Sequence, residues 1–297
     1  MEGRYVEWNW SPRHSTIVFF TFFTAFAPLA GHTTSSPTRQ ICSKERTVST
    51  FNVLGYWKNN ERHRMLDIRC LSWYHWGMDL YHICNRGVDK REVFLDDGDR
   101  TRFVHDLYVM NDVHSVPNHG RHELGNISDA GHEREPLVHL YAWCLMPNHY
   151  HLLLSPVDDE PANLSLFAQK VGMGYSKFFN KKYKRSGALW QGKHKKVHIQ
   201  RDAHFLYIPF YIHLNPLDLS IPEWRHGRVK DVDKALEQLS GYRWSSFLDY
   251  TGVKNFPSLI DKPLLTDMLG SRKKQSKIIA DIIGDGILAN SSWALEM

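Results

Sequence analysis

Two histidines separated by a single residue are the side chains in this sequence best suited to chemistry. They are His149 and His151, in the segment 145–155, which reads LMPNHYHLLLS and alternates as a β-strand does. Side chains alternate across a strand, so both imidazoles point to one face, while Tyr150 and Leu152 point to the other. Two imidazoles side by side on a rigid strand form half of a divalent-metal site. Many isolated pairs of this kind are purely structural, so the neighbours of this pair decide its meaning.

A candidate nucleophile is Tyr175, in a helix predicted over residues 161–185 from the spacing of its apolar side chains. One alternative is a plain core aromatic in the row Phe167–Val171–Tyr175. Against it, nearby cations would favour the phenolate and make the hydroxyl more easily ionised. The same helix carries Lys170, Lys177, Lys181 and Lys182.

These parts suit attack on a phosphodiester. Mg²⁺ or Mn²⁺ held by the imidazoles would polarise a phosphate oxygen, and the tyrosine oxygen would attack phosphorus. The products are a 5′-phosphotyrosine and a free 3′-OH, and a later 3′-OH can reverse the step, which is strand transfer. For a third metal ligand, Asn180 is preferred to Gln169, although neither is one turn from Tyr175, where Phe179 stands.

The charge of the chain is unevenly distributed. The formal net charge is +5, yet residues 161–201 contain no acid and ten Lys or Arg, so the remainder carries −5. A segment this polarised suggests a polyanionic partner such as nucleic acid, while a solvated basic face is the alternative. The four cysteines form no C-x-x-C pair, which argues against a zinc ribbon or disulfide scaffold and fits a reducing compartment, the cytoplasm.

Residues 1–75 differ in character from the rest and form an N-terminal extension. The apolar run 17–30 is too short for a comfortable transmembrane helix and resembles part of a signal peptide. Either the protein is exported, or the start codon lies too early, with Met65 or Met78 as later starts. We favour the second interpretation, and expect low order here and no membrane association.

The remaining pattern predicts an α+β fold in which an antiparallel sheet is covered by helices on one face. A polar, His- and Gly-rich stretch, 111–135, is interpreted as a loop insertion. Strands are predicted over 79–85, 137–144 and 145–155, helices over 99–111, 161–185 and 202–211, a basic strand or loop over 189–199, and further helical segments over 236–250 and 264–287.

Several blocks of sequence resemble a known family in their order. The segment 145–151 resembles the HUH motif of single-tyrosine transposases, and most closely that of the REP-associated tyrosine transposases. The similarity extends over about residues 78–250 and more loosely over the final helical region. The other matching blocks are YHICNRG (81–87), FLDD (94–97), YSKFFNKKY (175–183), SGALWQG (186–192), YIHLNP (211–216) and YRWSS (242–246).

The resemblance implies a ferredoxin-like (HUH/RRM-like) catalytic domain over 76–220 and a helical C-terminal region over 221–297. It implies metal-dependent cleavage of single-stranded DNA, with hairpins of palindromic repeats as partners, Tyr175 as nucleophile, and a monomer or homodimer. Tyr183 is the second choice of nucleophile. Phe178 occupies the position of the family's second tyrosine, which removes one competitor.

Eight residues are predicted to contact DNA, the cations by neutralising phosphates and the tryptophan by stacking on an unpaired base. For Trp190, packing against the helix is an equal alternative, and His82 and His213 are expected to make structural hydrogen bonds. The eight are Asn85, Arg86, Lys177, Lys181, Arg185, Trp190, Lys193 and Lys195.

The sequence leaves two rival functions open. One is a nucleic-acid-binding relative without catalysis, using the same basic face. The other is an exported metal-binding protein, suggested by the apolar N-terminus. Metal-dependent nicking of a hairpin oligonucleotide separates the first rival from the enzyme, and the natural start site decides the second.

Overall fold

A four-stranded antiparallel sheet forms the centre of the protein. The computed structural model describes residues 79–114, 134–199 and 202–285. The extension 1–75 and most of the predicted insertion lie outside these ranges, so the predictions about them stay predictions. The sheet order is β2–β3–β1–β4, which confirms the α+β class with an antiparallel sheet. The strands are β1 (Tyr81–Arg86), β2 (Val138–Met146), β3 (His149–Pro156) and β4 (Lys195–His198).

Strand β3 is an interior strand, and its register defines the two faces of the sheet. The two-residue turn Pro147–Asn148 joins it to β2, so that Met146 pairs with His149. On its other side Cys84 of β1 lies opposite His151. Alternation then gives one face that carries the histidines and one that carries aromatic and aliphatic side chains. We call them the histidine face (His82, Cys84, Arg86, His149, His151) and the aromatic face (Tyr81, Ile83, Tyr150, Leu152).

Two helices cover the aromatic face. They are α1 (Asp97–Val109) and α2 (Pro161–Lys182). Helix α1 begins where the Asp96 side chain accepts a hydrogen bond from Asp99 N at 2.8 Å, an N-cap. Within the described parts of the chain α2 is the longest helix, at 22 residues, and no helix there is long and apolar enough to cross a membrane. Its inward stripe comprises Leu164, Phe167, Val171, Tyr175 and Phe179.

A second helical layer covers the histidine face, which differs from the expectation of helices on one face only. Its first member is α3 (Asp202–Leu214), which runs into short 3-10 turns at Asn215–Leu219 and Pro222–His226. Tyr211, Leu217 and Trp224 from these segments share one buried cluster with Leu153 of β3. The later helices are α4 (Val232–Gly241), α5 (Phe247–Tyr250), α6 (Pro263–Leu269) and α7 (Arg272–Asp285).

The segment after α4 lies along the outer edge of β2. Leu145 N donates to Trp244 O at 2.9 Å, and Ser246 N donates to Trp143 O at 3.0 Å. Unpaired strand edges invite association with other chains, so this pairing protects β2. Residues of the predicted C-terminal region, such as Leu239 and Ile283, pack in the same core as α3.

Candidate metal and nucleophile site

The hydrogen bond that His149 makes leaves one of its ring nitrogens suited to a metal. Its Nδ1 lies 2.6 Å from Asn148 Oδ1. An amide oxygen only accepts, so Nδ1–H of His149 must donate, and the lone pair of the neutral ring is on Nε2. Asn148 is itself oriented, because its Nδ2 donates to Lys90 O at 3.1 Å. A ligand imidazole whose other nitrogen is fixed in this way is typical of metal sites.

His151 is held by a second histidine. Its Nδ1 lies 2.9 Å from Nε2 of His82, and the two rings stack with an interplanar angle of 9°. The remaining nitrogens, His151 Nε2 and His82 Nδ1, are buried and have no hydrogen-bond partner in the part of the chain described. Buried polar atoms normally have partners. The unpaired Nε2 of His151 is therefore an atom that a bound ion would satisfy.

Burial keeps these imidazoles neutral. It lowers the pKa of His82 to about 4, with a further contribution from His149. It also lowers the pKa of His149 to about 4, helped by the nearby guanidinium of Arg86. Burial and the neighbouring histidines place the pKa of His151 well below its usual value. Neutral rings bind metal ions without first losing a proton.

A tyrosine that was not proposed from the sequence contacts this group. The ring of Tyr211, on α3, meets the ring of His151 edge-on with centroids 5.6 Å apart, and that of His82 at 6.1 Å. Tyr211 is 4% exposed. The structure therefore brings a phenol to the histidine face, next to the second histidine of the pair.

An amide stands one turn beyond this tyrosine. Asn215 is fully buried, and its Nδ2 donates to Tyr211 O at 2.7 Å. Residues four apart share a helix face, so Asn215 satisfies the spacing that Asn180 and Gln169 fail with respect to Tyr175. Its Oδ1 accepts a long hydrogen bond from Arg225, at 3.4 Å.

Arg225 and Asp218 add a charged pair beside the tyrosine. Arg225 Nη2 lies 2.6 Å from Asp218 Oδ2, and its Nε donates to Oδ1 of the same carboxylate at 2.8 Å. This two-point contact fixes the guanidinium, whose carbon lies 5.6 Å from the centroid of the Tyr211 ring. The Arg225 side chain is 27% exposed, so a cation near Tyr211 is open to solvent.

The predicted juxtaposition of Tyr175 with the histidine pair is wrong. Tyr175 lies in the core on the aromatic face, against Phe94 and Phe103, and its hydroxyl donates to Val93 O. It is fully buried. Burial raises its pKa strongly, and the nearby carboxylate of Asp99 raises it further, the opposite of the ionisation that the lysines of α2 were expected to favour. The alternative of a core aromatic describes it.

The other α2 candidates for the site are engaged in local structure. Asn180 closes the end of α2, because its Nδ2 donates to Gly187 O at 3.0 Å and its Oδ1 accepts from Arg185 at 2.7 Å. Asn180 lies on a helix that covers the aromatic face, on the opposite side of the sheet from the histidines. The prediction that Asn180 is a metal ligand beside His149 and His151 is therefore wrong. Tyr183 donates to Asp99 at 2.8 Å on the same side. Gln169 is exposed on α2.

The predicted DNA-contacting residues divide into exposed lysines and residues that are buried or half-buried. Lys177, Lys181, Lys193 and Lys195 are exposed. Asn85 is buried and donates to Gly192 O at 3.1 Å, and Arg86 ends β1 opposite His149. Arg185 is half-buried, at the end of α2. The Trp190 indole donates to Gly172 O at 3.1 Å and packs on Tyr150, in agreement with the packing alternative.

His82 and His213 make the structural hydrogen bonds expected of them, the latter with Ser246 Oγ at 2.8 Å. Cys84 was not proposed from the sequence as a site residue, yet it forms a potential metal-binding group with His82 and His151. In the sequence, Tyr211 and Asn215 were noted only as part of the matching block YIHLNP and not as site residues. Their four-residue spacing was the available signal.

Comparisons with known proteins add little to this description. No family model matches the chain, and no curated protein matches it. Among solved structures, the chain is similar to one described as a REP-associated tyrosine transposase bound to a REP hairpin. The TM-score is 0.35 and the sequence identity 14%, over 63% of this chain and 87% of that chain. The chemistry assigned to this protein therefore rests on its own residues.

Proposed function

We propose that this chain is a metal-dependent endonuclease and strand transferase for single-stranded DNA, with Tyr211 as its nucleophile. The observation that carries the proposal is the contact of the Tyr211 ring with His151 and His82, on the face to which His149 also points. Tyr211 is preferred to Tyr175 as the nucleophile because it lies on the same side of the sheet as the histidines. The resemblance of the sequence blocks agrees with this reaction class.

His149, His151 and the amide oxygen of Asn215 would hold the metal ion. The unpaired Nε2 of His151 and the lone pair left on Nε2 of His149 support this choice, and Asn215 lies one turn from Tyr211. When bound, Mg²⁺ or Mn²⁺ places positive charge next to a phosphate oxygen, which polarises the phosphate and stabilises the negative charge that develops in the transition state.

The reaction itself uses the phenol of Tyr211. Its oxygen forms a bond to phosphorus as the bond from phosphorus to O3′ breaks, and the phenol proton is lost while the departing oxygen gains one. One ester replaces another, so a second 3′-OH can reverse the step and join a new strand. Arg225, fixed by Asp218 and partly exposed, would pair with the phosphate being attacked.

The exposed lysines of the basic segment would hold the DNA strand. Lys177, Lys181, Lys193 and Lys195 are candidates for phosphate contacts. Arg86 ends β1 beside His149, which makes it the candidate nearest to the metal ligands. Asn85, Arg185 and Trp190 have internal partners, and they would support the surface more than contact bases.

The test is a nicking assay on single-stranded hairpin oligonucleotides from palindromic repeats, with and without Mg²⁺ or Mn²⁺. Wild-type protein should nick and form a covalent protein–DNA adduct. Tyr211→Phe, which changes only the hydroxyl, should abolish the adduct. Tyr175→Phe is the matched control and should keep it, at a cost in stability of about 1 kcal/mol from the lost hydrogen bond.

Replacement of His149 or His151 by Ala should abolish nicking in protein that remains folded by circular dichroism. An adduct that persists in Tyr211→Phe would refute the nucleophile assignment. DNA binding by the wild type without nicking under any metal condition would instead support the non-catalytic nucleic-acid-binding alternative.

A further inference from the structure

Three buried metal-ligand side chains lie together on the histidine face, in a group that overlaps the His149–His151 pair. His82, Cys84 and His151 are 0%, 1% and 3% exposed. One ligand atom from each lies within 4.8 Å of the others. Such atoms need be no more than about 2.8 Å from a common point, against about 2.0–2.3 Å for Zn²⁺ bonds to nitrogen and sulfur. Movements of well under an ångström would therefore complete a site.

Rigid elements place all three ligands. His82 and Cys84 are two residues apart on β1 and so share a face, and Cys84 lies directly opposite His151 in the β1–β3 register. Two strands in the middle of a sheet hold this geometry, whereas loops would allow it to vary. The three side chains are thus held close together before any ion arrives.

A metal ion could take the place of the proton that lies between the rings of His82 and His151. Nε2 of His82 and Nδ1 of His151 share one proton across 2.9 Å, and the other ring nitrogens are buried and unpartnered. An ion bound to Nε2 of His82 and Nδ1 of His151 would displace that proton. The proton would then move to the other nitrogen of the ring that carried it. The Cys84 thiol proton would leave to solvent as the metal–sulfur bond forms. No group changes oxidation state.

We propose that His82, Cys84 and His151 form a binding site for a thiophilic divalent ion of the Zn²⁺ class. A soft sulfur with two imidazoles selects such ions over Mg²⁺ and Mn²⁺. His151 would then carry its proton on Nε2, the atom needed for the ion of the proposed nuclease. The two ions exclude each other, so occupancy by the thiophilic ion switches nicking off. This last step rests on the proposed function.

Binding is tested on the full chain, freed of metal, with Co²⁺ as the probe and no DNA present. Wild-type protein should bind one equivalent with a thiolate-to-cobalt charge-transfer absorption that Zn²⁺ displaces, and should release one proton per ion. Cys84→Ser should lose the absorption and bind at least tenfold more weakly. Incubation must be long, because the Tyr211 ring covers both histidines.

Cys144→Ser is the matched control. Cys144 is fully buried and lies opposite His151 on the other side of β3, but it is outside the three-residue group, so the variant should bind Co²⁺ as the wild type does. No thiolate absorption in the wild type, its survival in Cys84→Ser, or its loss in folded Cys144→Ser would overturn the proposal. If Cys84→Ser does not fold, the proton count on wild-type protein decides, since binding to imidazoles alone releases none.

The exclusion of one ion by the other is tested separately. Stoichiometric Zn²⁺ added before Mn²⁺ should suppress nicking at least tenfold in the wild type and leave Cys84→Ser active. Equal suppression in both would show that the two ions do not compete through this site. If no protein nicks at all, the proposed function fails, while the Co²⁺ titration still decides the metal site.

Discussion

His149 depends on Asn148 for its orientation as a metal ligand. The Asn148 oxygen holds the Nδ1 proton of His149 at 2.6 Å, which directs the ring and fixes its tautomer. Replacement of Asn148 by Ala should weaken Mn²⁺ binding by about 10- to 100-fold, the range found when the partners of ligand histidines are removed. Calorimetric titration of the wild type and the variant with Mn²⁺ measures this effect.

Asn180→Ala provides the comparison for that experiment. Asn180 was the ligand expected from the sequence, but both ends of its amide are occupied by Gly187 and Arg185. Its loss should leave Mn²⁺ affinity unchanged and cost only local stability. Weaker Mn²⁺ binding in Asn180→Ala, with the wild-type value in Asn148→Ala, would reverse this account.

The turn between β2 and β3 is held in position by the end of β1 and the segment that follows it. Gly87 N donates to Asn148 O at 2.8 Å, and Val93 N donates to Pro147 O at 2.8 Å. A Cβ at Gly87 would lie 2.4 Å from the Arg91 carbonyl oxygen and 2.7 Å from a Val93 methyl group. The chain therefore needs glycine here for a close approach of two backbone segments.

Gly87→Ala should destabilise the protein by about 1–3 kcal/mol, because the backbone must move to relieve the overlap. Gly172→Ala in α2 is the control. There the nearest atom to a new Cβ is 3.7 Å away, and alanine is the better helix former by about 0.5–1 kcal/mol. Urea unfolding should move the two midpoints in opposite directions, and a midpoint for Gly87→Ala at or above the wild-type value would contradict the steric argument.

The period of two along a strand was enough to predict that His149 and His151 share a face, and the period of a helix was enough to predict α1 and α2. Neither period says which face of a sheet a helix covers. The apolar stripe of α2 could pack on either face of the sheet. The lysines beside Tyr175 suggested that Tyr175 faces the histidines, whereas it packs on the aromatic face. The sequence around α3, IPFYIHL, is apolar on nearly all sides, which is typical of a helix buried between a sheet and further helices.

Buried neutral histidines make the stability of the folded protein depend on pH. Burial lowers the pKa of His82 and His149 to about 4 and that of His213 to about 3. In the unfolded chain a histidine titrates near about 6.5. The unfolded state thus binds protons that the folded state refuses, and stability is full above that value and falls as pH decreases towards 4.

Each of the three should contribute about 1.4 kcal/mol per pH unit across that window. Urea unfolding at a series of pH values from about 7.5 to 4.5 measures the slope. A free energy of unfolding that stays constant over this pH range would contradict the conclusion that His82, His149 and His213 are neutral in the folded protein.

The acid-free segment should dominate the salt dependence of DNA binding. Lys193 and Lys195 are exposed around β4. Their joint replacement by Gln should weaken binding to all single-stranded sequences alike, and reduce the slope of log K against log salt by about 1.4, or 0.7 per phosphate contact. The pair Lys273→Gln and Lys274→Gln on α7 is the control with equal charge loss. Equal slopes for the two double variants would place the DNA elsewhere.

The division of the sheet into two differently covered faces also has a consequence for synthesis of the chain. The four strands and α2 have all been made once the chain reaches His198, whereas Tyr211, Asn215 and Arg225 follow. Because domains form from the N-terminus during translation, a nascent chain carries His149 and His151 before it carries Tyr211 and the proposed third ligand, Asn215. A chain released after residue 198 and before residue 211 would therefore carry His82, Cys84 and the two histidines of β3, but neither the phenol nor the guanidinium of the proposed nuclease.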